Sequence, residues 1–232
     1  MPRTPALKAL ITGGTGALGR SVALTLRQAG YEVHVTSETD ADTERFRKDK
    51  AVGDLPAYTL DLTKASQVRD ALKQVGAPLS GLVCCAGGYF GGRFDKVTDA
   101  EVDRLITMNL HATIVAVREA YPYLKKAKGA SVVLISARGA LKGAPDAAVY
   151  SATKAAVANL ALSLGEEWVE DGIRVNAILP SIMDTPANRA AMPDAEFDRW
   201  PKTQDVANVI AFLLSDKANL VSGGAIPVYG KG

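Results

Sequence analysis

Short apolar runs alternate along the chain with longer stretches whose apolar residues recur at helical spacing. The runs Lys8–Ile11, Glu32–Thr36, Ala57–Leu60, Gly81–Cys85, Ser131–Ser136, Arg174–Leu179 and Ala225–Val228 predict strands. Helical patterns cover Leu18–Ala29, Ser66–Val75, Glu101–Lys125, Ala148–Trp168 and Thr203–Leu214, with a weaker one near Asp42–Lys50. Strands that alternate with helices imply an α/β fold, a parallel sheet covered by helices on both faces. In such sheets ligands bind beyond the carboxyl ends of the strands, so those ends are where chemistry is expected. The stretch from Tyr150 to Trp168 is apolar nearly all round, which suits a helix lying between the sheet and a second copy of the chain.

Bulk properties narrow the picture. A chain of 232 residues, 47% hydrophobic and 22% charged, can bury a full core, and a single domain over residues 1–232 is expected. The net charge of +2, with no basic stripe among aromatics, gives nucleic-acid binding no support. Met1–Ala6 is too short and polar for a signal peptide, and no apolar run reaches membrane-spanning length. The cysteines, Cys84 and Cys85, are neighbours on a predicted strand and point to opposite faces, so no ordinary disulfide joins them. A reduced, cytoplasmic protein is expected. His34 and His111 stand apart from each other and from carboxylate clusters, and both read as structural, with no metal site.

Residues 12–19 read Thr-Gly-Gly-Thr-Gly-Ala-Leu-Gly, after the first predicted strand and before the first helix. Glycines let a backbone turn tightly beside phosphates, and the following helix start offers unpaired N–H groups, so the segment predicts a dinucleotide site. Tyr150 and Lys154, four residues apart on a helix, share a face. A cation there would stabilise phenolate, and lowering a phenol's pKa by roughly 3 units needs about 4 kcal/mol. The pair could then move a proton to or from a substrate atom. Tyr121 and Lys125 have the same spacing but lie at the exit of a helix, and are set aside.

These residues together resemble the short-chain dehydrogenase/reductase family, and the resemblance spans nearly the whole chain. It implies a Rossmann-type doubly wound sheet of about seven strands binding NAD(P). It places the cofactor against Gly13, Thr15, Gly16, Ala17, Leu18 and Gly19, with Asp61-Leu62 beside the adenine. Ala86-Gly87 resembles the end of the family's Asn-Asn-Ala-Gly segment, with Cys84-Cys85 in place of the asparagines. Asn109 matches the helix asparagine of the proton relay; Tyr150 matches the acid/base and Lys154 the lysine on the nicotinamide ribose. Pro180, Ile182 and Thr185 fall in a segment similar to the family's Pro-Gly-x-x-x-Thr, where threonine holds the carboxamide.

Three positions depart from the pattern. Ala17 replaces the middle glycine, and Ser181 the glycine after proline. The family's carbonyl-polarising serine falls at Ala137, while Ser136, one residue earlier, should face the other side of a regular strand. Ser136 is nevertheless the candidate hydroxyl if a bulge or shifted loop brings it in. Alanine at this position resembles the dihydropteridine reductase branch, as do Ala86-Gly87-Gly88 followed by an aromatic and the segment from Asp184 to Trp200. That branch implies reduction of an activated C=N or C=O group, with Tyr89, Phe90 and Trp200 as aromatic neighbours for a flat ring. The alternatives are a ketone reductase or alcohol dehydrogenase, and a dinucleotide-sensing protein with little turnover. Ser37 stands where NAD-preferring members carry aspartate, which leans the cofactor towards NADP(H) over NAD(H), although Glu38 follows and Arg45 and Arg47 read as a solvated face. A homodimer or homotetramer acting on a small molecule is expected.

Overall fold

All seven predicted strands form in the computed structural model, which describes residues 7–231, and they join in one parallel sheet. They are β1 (Lys8–Thr12), β2 (Glu32–Ser37), β3 (Ala57–Thr59), β4 (Gly81–Cys84), β5 (Ser131–Ile135), β6 (Arg174–Pro180) and β7 (Gly224–Val228), in the spatial order β3-β2-β1-β4-β5-β6-β7. The chain crosses over between β1 and β4, which opens a crevice at the carboxyl edge where winding reverses. The stretch Met1–Ala6 lies outside the described residues.

The pleat explains the two cores. Along β5, Val132 and Leu134 point into one hydrophobic cluster and Val133 and Ile135 into the other. The first cluster is completed by α3 (Ala65–Val75), α5 (Ala112–Leu124) and α7 (Ala148–Glu167). The second is completed by α1 (Ala17–Gln28), α2 (Asp40–Arg47) and α9 (Thr203–Leu214). Nearly continuous apolar runs are what a sheet covered on both faces requires.

The long pattern Glu101–Lys125 is not one regular helix. It begins as α4 (Asp99–Leu105), passes through a π-helical turn over Ile106–His111, and resumes as α5. Asn109 sits in that turn, fully buried. Asparagine is unfavourable inside a helix unless its amide has partners, and π-turns concentrate where a side chain must be aimed. Two short helices, α6 (Gly139–Lys142) and α8 (Pro186–Ala191), were not foreseen. The outward side of α7 carries Asn159, Ser163, Glu166 and Glu167 beside Ala148, Ala152 and Leu162, so the helix is less uniformly apolar than its sequence suggested. No described helix is long and apolar enough to cross a membrane.

Candidate active site

The glycine turn leaves β1 at the crossover, tightly packed at Gly13, Gly14 and Gly19 and open at Gly16 and Ala17. Gly13 has φ +63°, and a Cβ there would lie 2.7 Å from the Ala86 backbone. A Cβ at Gly19 would lie 2.5 Å from the Gly13 carbonyl and the Gly14 Cα. The Gly14 N–H donates to the Thr36 carbonyl at 2.9 Å, tying the turn to β2. Gly16 then serves as N-cap of α1 with no side chain capping the helix. Ala17 is exposed as the first helical residue, so the departure from glycine brings no clash within the turn. The cradle has the shape and the free helix start that a pyrophosphate requires, so the residues fit a dinucleotide. Leu18 anchors the turn from below by packing into the core, while the Thr15 carbonyl accepts from the Arg20 guanidinium at 3.1 Å.

Around the rim the sequence candidates meet with different fortunes. Ser37 ends β2 but turns inward. Its hydroxyl donates to the Thr39 carbonyl at 3.2 Å and touches the Thr43 hydroxyl, which in turn meets Thr59 at 2.8 Å. Its side chain is thus committed inside the protein rather than presented to a ligand. The exposed neighbours are acidic, Glu38 and Asp40, and Arg45 is already paired with Asp42 at 3.1 Å. Asp61 lies exposed beyond β3, where its carboxylate accepts from the Thr63 N–H and hydroxyl, contacts that hold it below the usual carboxylate range. Leu62 follows it, half-buried. Thr185 caps α8 by accepting from the Asn188 N–H at 3.2 Å. Pro180 closes β6, and Ile182 is exposed just beyond it.

At the centre, Lys154 is buried to 6% exposure, and its ammonium donates to the Ile135 carbonyl at 3.0 Å. Burial drives its pKa down to about 8. The Tyr150 ring lies 5.8 Å from that ammonium, with the Tyr89 ring edge-on at 5.0 Å. Burial first, and Tyr89 second, push the Tyr150 phenol up to about 12. The expected lowering by lysine is therefore absent here. Lys154 is bonded to a backbone carbonyl rather than the phenol, and desolvation dominates. In this cofactor-free state the phenol is protonated at neutral pH and a weaker acid than a free tyrosine, with the ammonium beside it as the group that can favour loss of its proton.

Asn109 and Gly87 complete the wall. The Asn109 amide accepts from the Gly88 N–H at 2.9 Å and donates to the Gly88 carbonyl at 3.0 Å, clamping the loop after β4. A Cβ at Gly87 would lie 2.6 Å from that amide oxygen and 3.3 Å from the Lys154 ammonium, so only glycine fits. Asn109 therefore reaches the cleft through the loop it holds.

The Ser136 hydroxyl is engaged within the fold. It donates to the Lys154 backbone carbonyl at 2.7 Å, pinning α7 to the end of β5. Ser136→Ala is expected to lose a buried hydrogen bond, about 1 kcal/mol of stability, while kcat falls less than tenfold. Denaturant unfolding and steady-state kinetics on the same preparation would check both.

The set-aside pair is instructive. Lys125 donates to the Tyr121 hydroxyl at 3.2 Å, and both contact Asp171, a closer phenol–ammonium contact than the central one. It stays outside the cleft, on the surface beside Trp168. His34 is held between Tyr58 and Glu32, a structural role, and no group of three or more His, Cys, Asp or Glu residues able to hold a metal occurs among the described residues. Backbone groups missed by motif reading matter most: the Ile135 carbonyl on Lys154 and both Gly88 groups on Asn109. Residue identity carries no direct signal for them.

A dinucleotide cradle set beside a proton donor suits a reaction that pairs hydride transfer with proton transfer. The chain belongs to the short chain dehydrogenase family, which it matches over residues 7–196. It is 31% identical to the L-xylulose reductase of Bos taurus over 234 residues, covering 96% of this chain and 95% of the relative. Among solved structures it resembles ElxO with NADP bound, with a TM-score of 0.89, 25% identity, and coverage of 97% and 98% of the two chains. It also resembles a 3-ketoacyl-(acyl-carrier-protein) reductase from Brucella melitensis complexed with NADH, at TM-score 0.85 and 27% identity, covering 97% of each chain.

Proposed function

We propose that this protein reduces an activated carbonyl compound, with Tyr150 donating the proton. The observation that carries this reading is the Tyr150 ring set 5.8 Å from the buried Lys154 ammonium, which itself lies against Gly87 at the carboxyl edge of the sheet. A reduced nicotinamide would supply hydride. Gly13–Gly19 would hold its pyrophosphate, Asp61 and Leu62 its adenine end, and Ala86, Gly87, Lys154, Pro180, Ile182 and Thr185 its nicotinamide end. Tyr150 gives its proton to the substrate oxygen as that oxygen gains charge, and the Lys154 ammonium stabilises the phenolate left behind. Asn109 keeps the opposite wall in place.

Alanine stands at position 137, where the family's pattern carries its polarising serine, and the Ser136 hydroxyl is bonded to the Lys154 carbonyl. An acceptor already activated by conjugation needs less help of that kind. The names of the relatives, an L-xylulose reductase and a 3-ketoacyl reductase, favour C=O over the C=N of a dihydropterin. The dihydropteridine-type reading keeps one specific support, the exposed Tyr89 ring set edge-on to Tyr150 as a platform for a flat substrate. Phe90 lies under Arg104 and Trp200 packs on Phe197, so neither is set on Tyr150.

Beside Ser37 the exposed Glu38 and Asp40 are acidic and Arg45 is paired with Asp42, which does not favour a 2′-phosphate, so the cofactor is either nicotinamide dinucleotide. For the assembly we infer a second copy over the groove between α5 and α7, of about 520 Å³, whose walls include Ile114, Val117, Leu160 and Leu164. A monomeric mass in solution would contradict it. The test of activity is a panel of α-diketones, quinones, plain ketones and quinonoid dihydropterin with either cofactor. Turnover of diketones or quinones well above plain ketones is expected. Turnover of dihydropterin alone would overturn the carbonyl reading, and cofactor binding without turnover of any acceptor would favour a sensor.

A further inference from the structure

One arginine at the carboxyl edge of the sheet stands without a counter-ion. Arg138 follows β5 and precedes α6, and its N–H donates to the Pro180 carbonyl at 2.9 Å, which sets its backbone against the end of β6. Its guanidinium lies 5.3 Å from the centre of the Tyr229 ring, just past β7. The Ser181 hydroxyl donates to the Tyr229 carbonyl at 2.7 Å and fixes that segment at the sheet's edge. Most arginines of the chain are already committed. Arg189 is paired with Asp184 at 2.6 Å and Arg199 with Glu196 at 3.3 Å, while Arg174 donates to the Leu213 carbonyl at 2.7 Å. Among the described residues only Arg47, Arg104 and Arg138 have guanidinium groups with neither a carboxylate nor a carbonyl partner. Arg47 and Arg104 are exposed, whereas Arg138 is half-buried. A half-buried guanidinium has given up part of its hydration, and an aromatic face replaces some of it while leaving the N–H fork free.

We propose that Arg138 binds a carboxylate on the acceptor, so that the substrate is an oxo acid. The inference rests on the reductase reading and adds the charge of the substrate to it. Arg138 lies shortly beyond Ile135, whose carbonyl holds the Lys154 ammonium, so the guanidinium belongs to the same end of β5 as the proton-transfer pair. The glycine turn follows β1, and β4 separates β1 from β5, a distance of about 10 Å between strands, so the cofactor's phosphates have a cradle of their own. Arg189 and Arg199 are neutralised by carboxylates of the chain, which leaves one guanidinium for the occupant. A single planar fork suits a monoanion held by two parallel N–H···O bonds better than a phosphate dianion.

Benzoylformate and its methyl ester share the reducible ketone and the ring, and differ in the charge of the acid. Arg138→Met is expected to lower the acid-to-ester ratio of kcat/KM by about tenfold or more, the loss that follows removal of a charged hydrogen-bond partner. The change falls on the KM of the acid, because the carboxylate takes no part in the reaction and is held equally in ground and transition states. Damage to the cleft alone would lower both substrates alike and leave the ratio where it was. Arg138→Gln, which keeps a planar group against Tyr229, carries the test if the methionine variant does not fold. A ratio unchanged within about twofold in the folded variants would overturn the carboxylate assignment while leaving the reductase reading intact. A wild-type enzyme that reduces the ester and not the acid would do the same. A wild-type enzyme that reduces neither would overturn the reductase reading itself, and the carboxylate assignment with it.

Discussion

Tyr150→Phe is expected to lower kcat by about 10²–10⁴-fold while leaving cofactor affinity within a few-fold of wild type, the range associated with losing a positioned general acid. Phenylalanine preserves the ring that packs edge-on with Tyr89 and lies beside the Lys154 ammonium, so the wall of the cleft keeps its shape. What disappears is a hydroxyl whose proton, with the phenol pushed up to about 12, is fully present at neutral pH. Affinity is read by fluorescence titration of the reduced cofactor and turnover by its absorbance, so the two effects separate. An unchanged rate would mean that the proton comes from elsewhere.

Lys154→Met is expected to lose at least about 100-fold in turnover and, at neutral pH, to gain stability. Holding an ammonium whose pKa has fallen from 10.5 to about 8 costs about 3 kcal/mol while it remains charged. Against this, methionine leaves the Ile135 carbonyl without its donor, a loss of about 1–3 kcal/mol. The net gain is about 1 kcal/mol, or about 2–4 °C in Tm for a chain of this size. The sign follows from proton counting. Between about pH 8 and 10.5 the unfolded chain holds a proton that the folded one has released, so the wild-type penalty is complete below pH 8 and fades as pH rises through that window. Above about pH 10.5 the lysine is neutral in both states and still bonds Ile135, so the variant becomes the less stable protein. Melting curves of the cofactor-free proteins at about pH 7 and 10.5 would show the reversal, and a variant less stable at both would contradict it.

This balance explains which parts of the molecule were legible in its sequence. The strands were legible because burial on both faces demands long apolar runs, and β5 and β6 have them. The glycine turn was legible because its glycines answer steric demands, as Gly13 and Gly19 show. The π-turn at Asn109 was hidden, since the helical pattern continues through it and nothing in its sequence marks Asn109 as the one residue that is buried there. The state of Tyr150 was hidden for a different reason. Spacing on a helix put Lys154 near the phenol, but a backbone carbonyl from β5 competes for the ammonium, and burial sets the direction of both pKa values. Ser136 was legible only as a candidate hydroxyl, because its partner, the Lys154 carbonyl on α7, is another backbone group that no residue letter encodes.

Proton donation by Tyr150 depends on the position of one oxygen relative to the coenzyme. A crystal structure with a nicotinamide dinucleotide bound tests this most directly. The expected result has the pyrophosphate on the Gly13–Gly19 turn and the reactive carbon of the nicotinamide in the cleft between Gly87 and Tyr150, with the Tyr150 hydroxyl facing the space where an acceptor would sit. A nicotinamide ring lying outside that cleft, with Tyr150 turned away from it, would contradict the account.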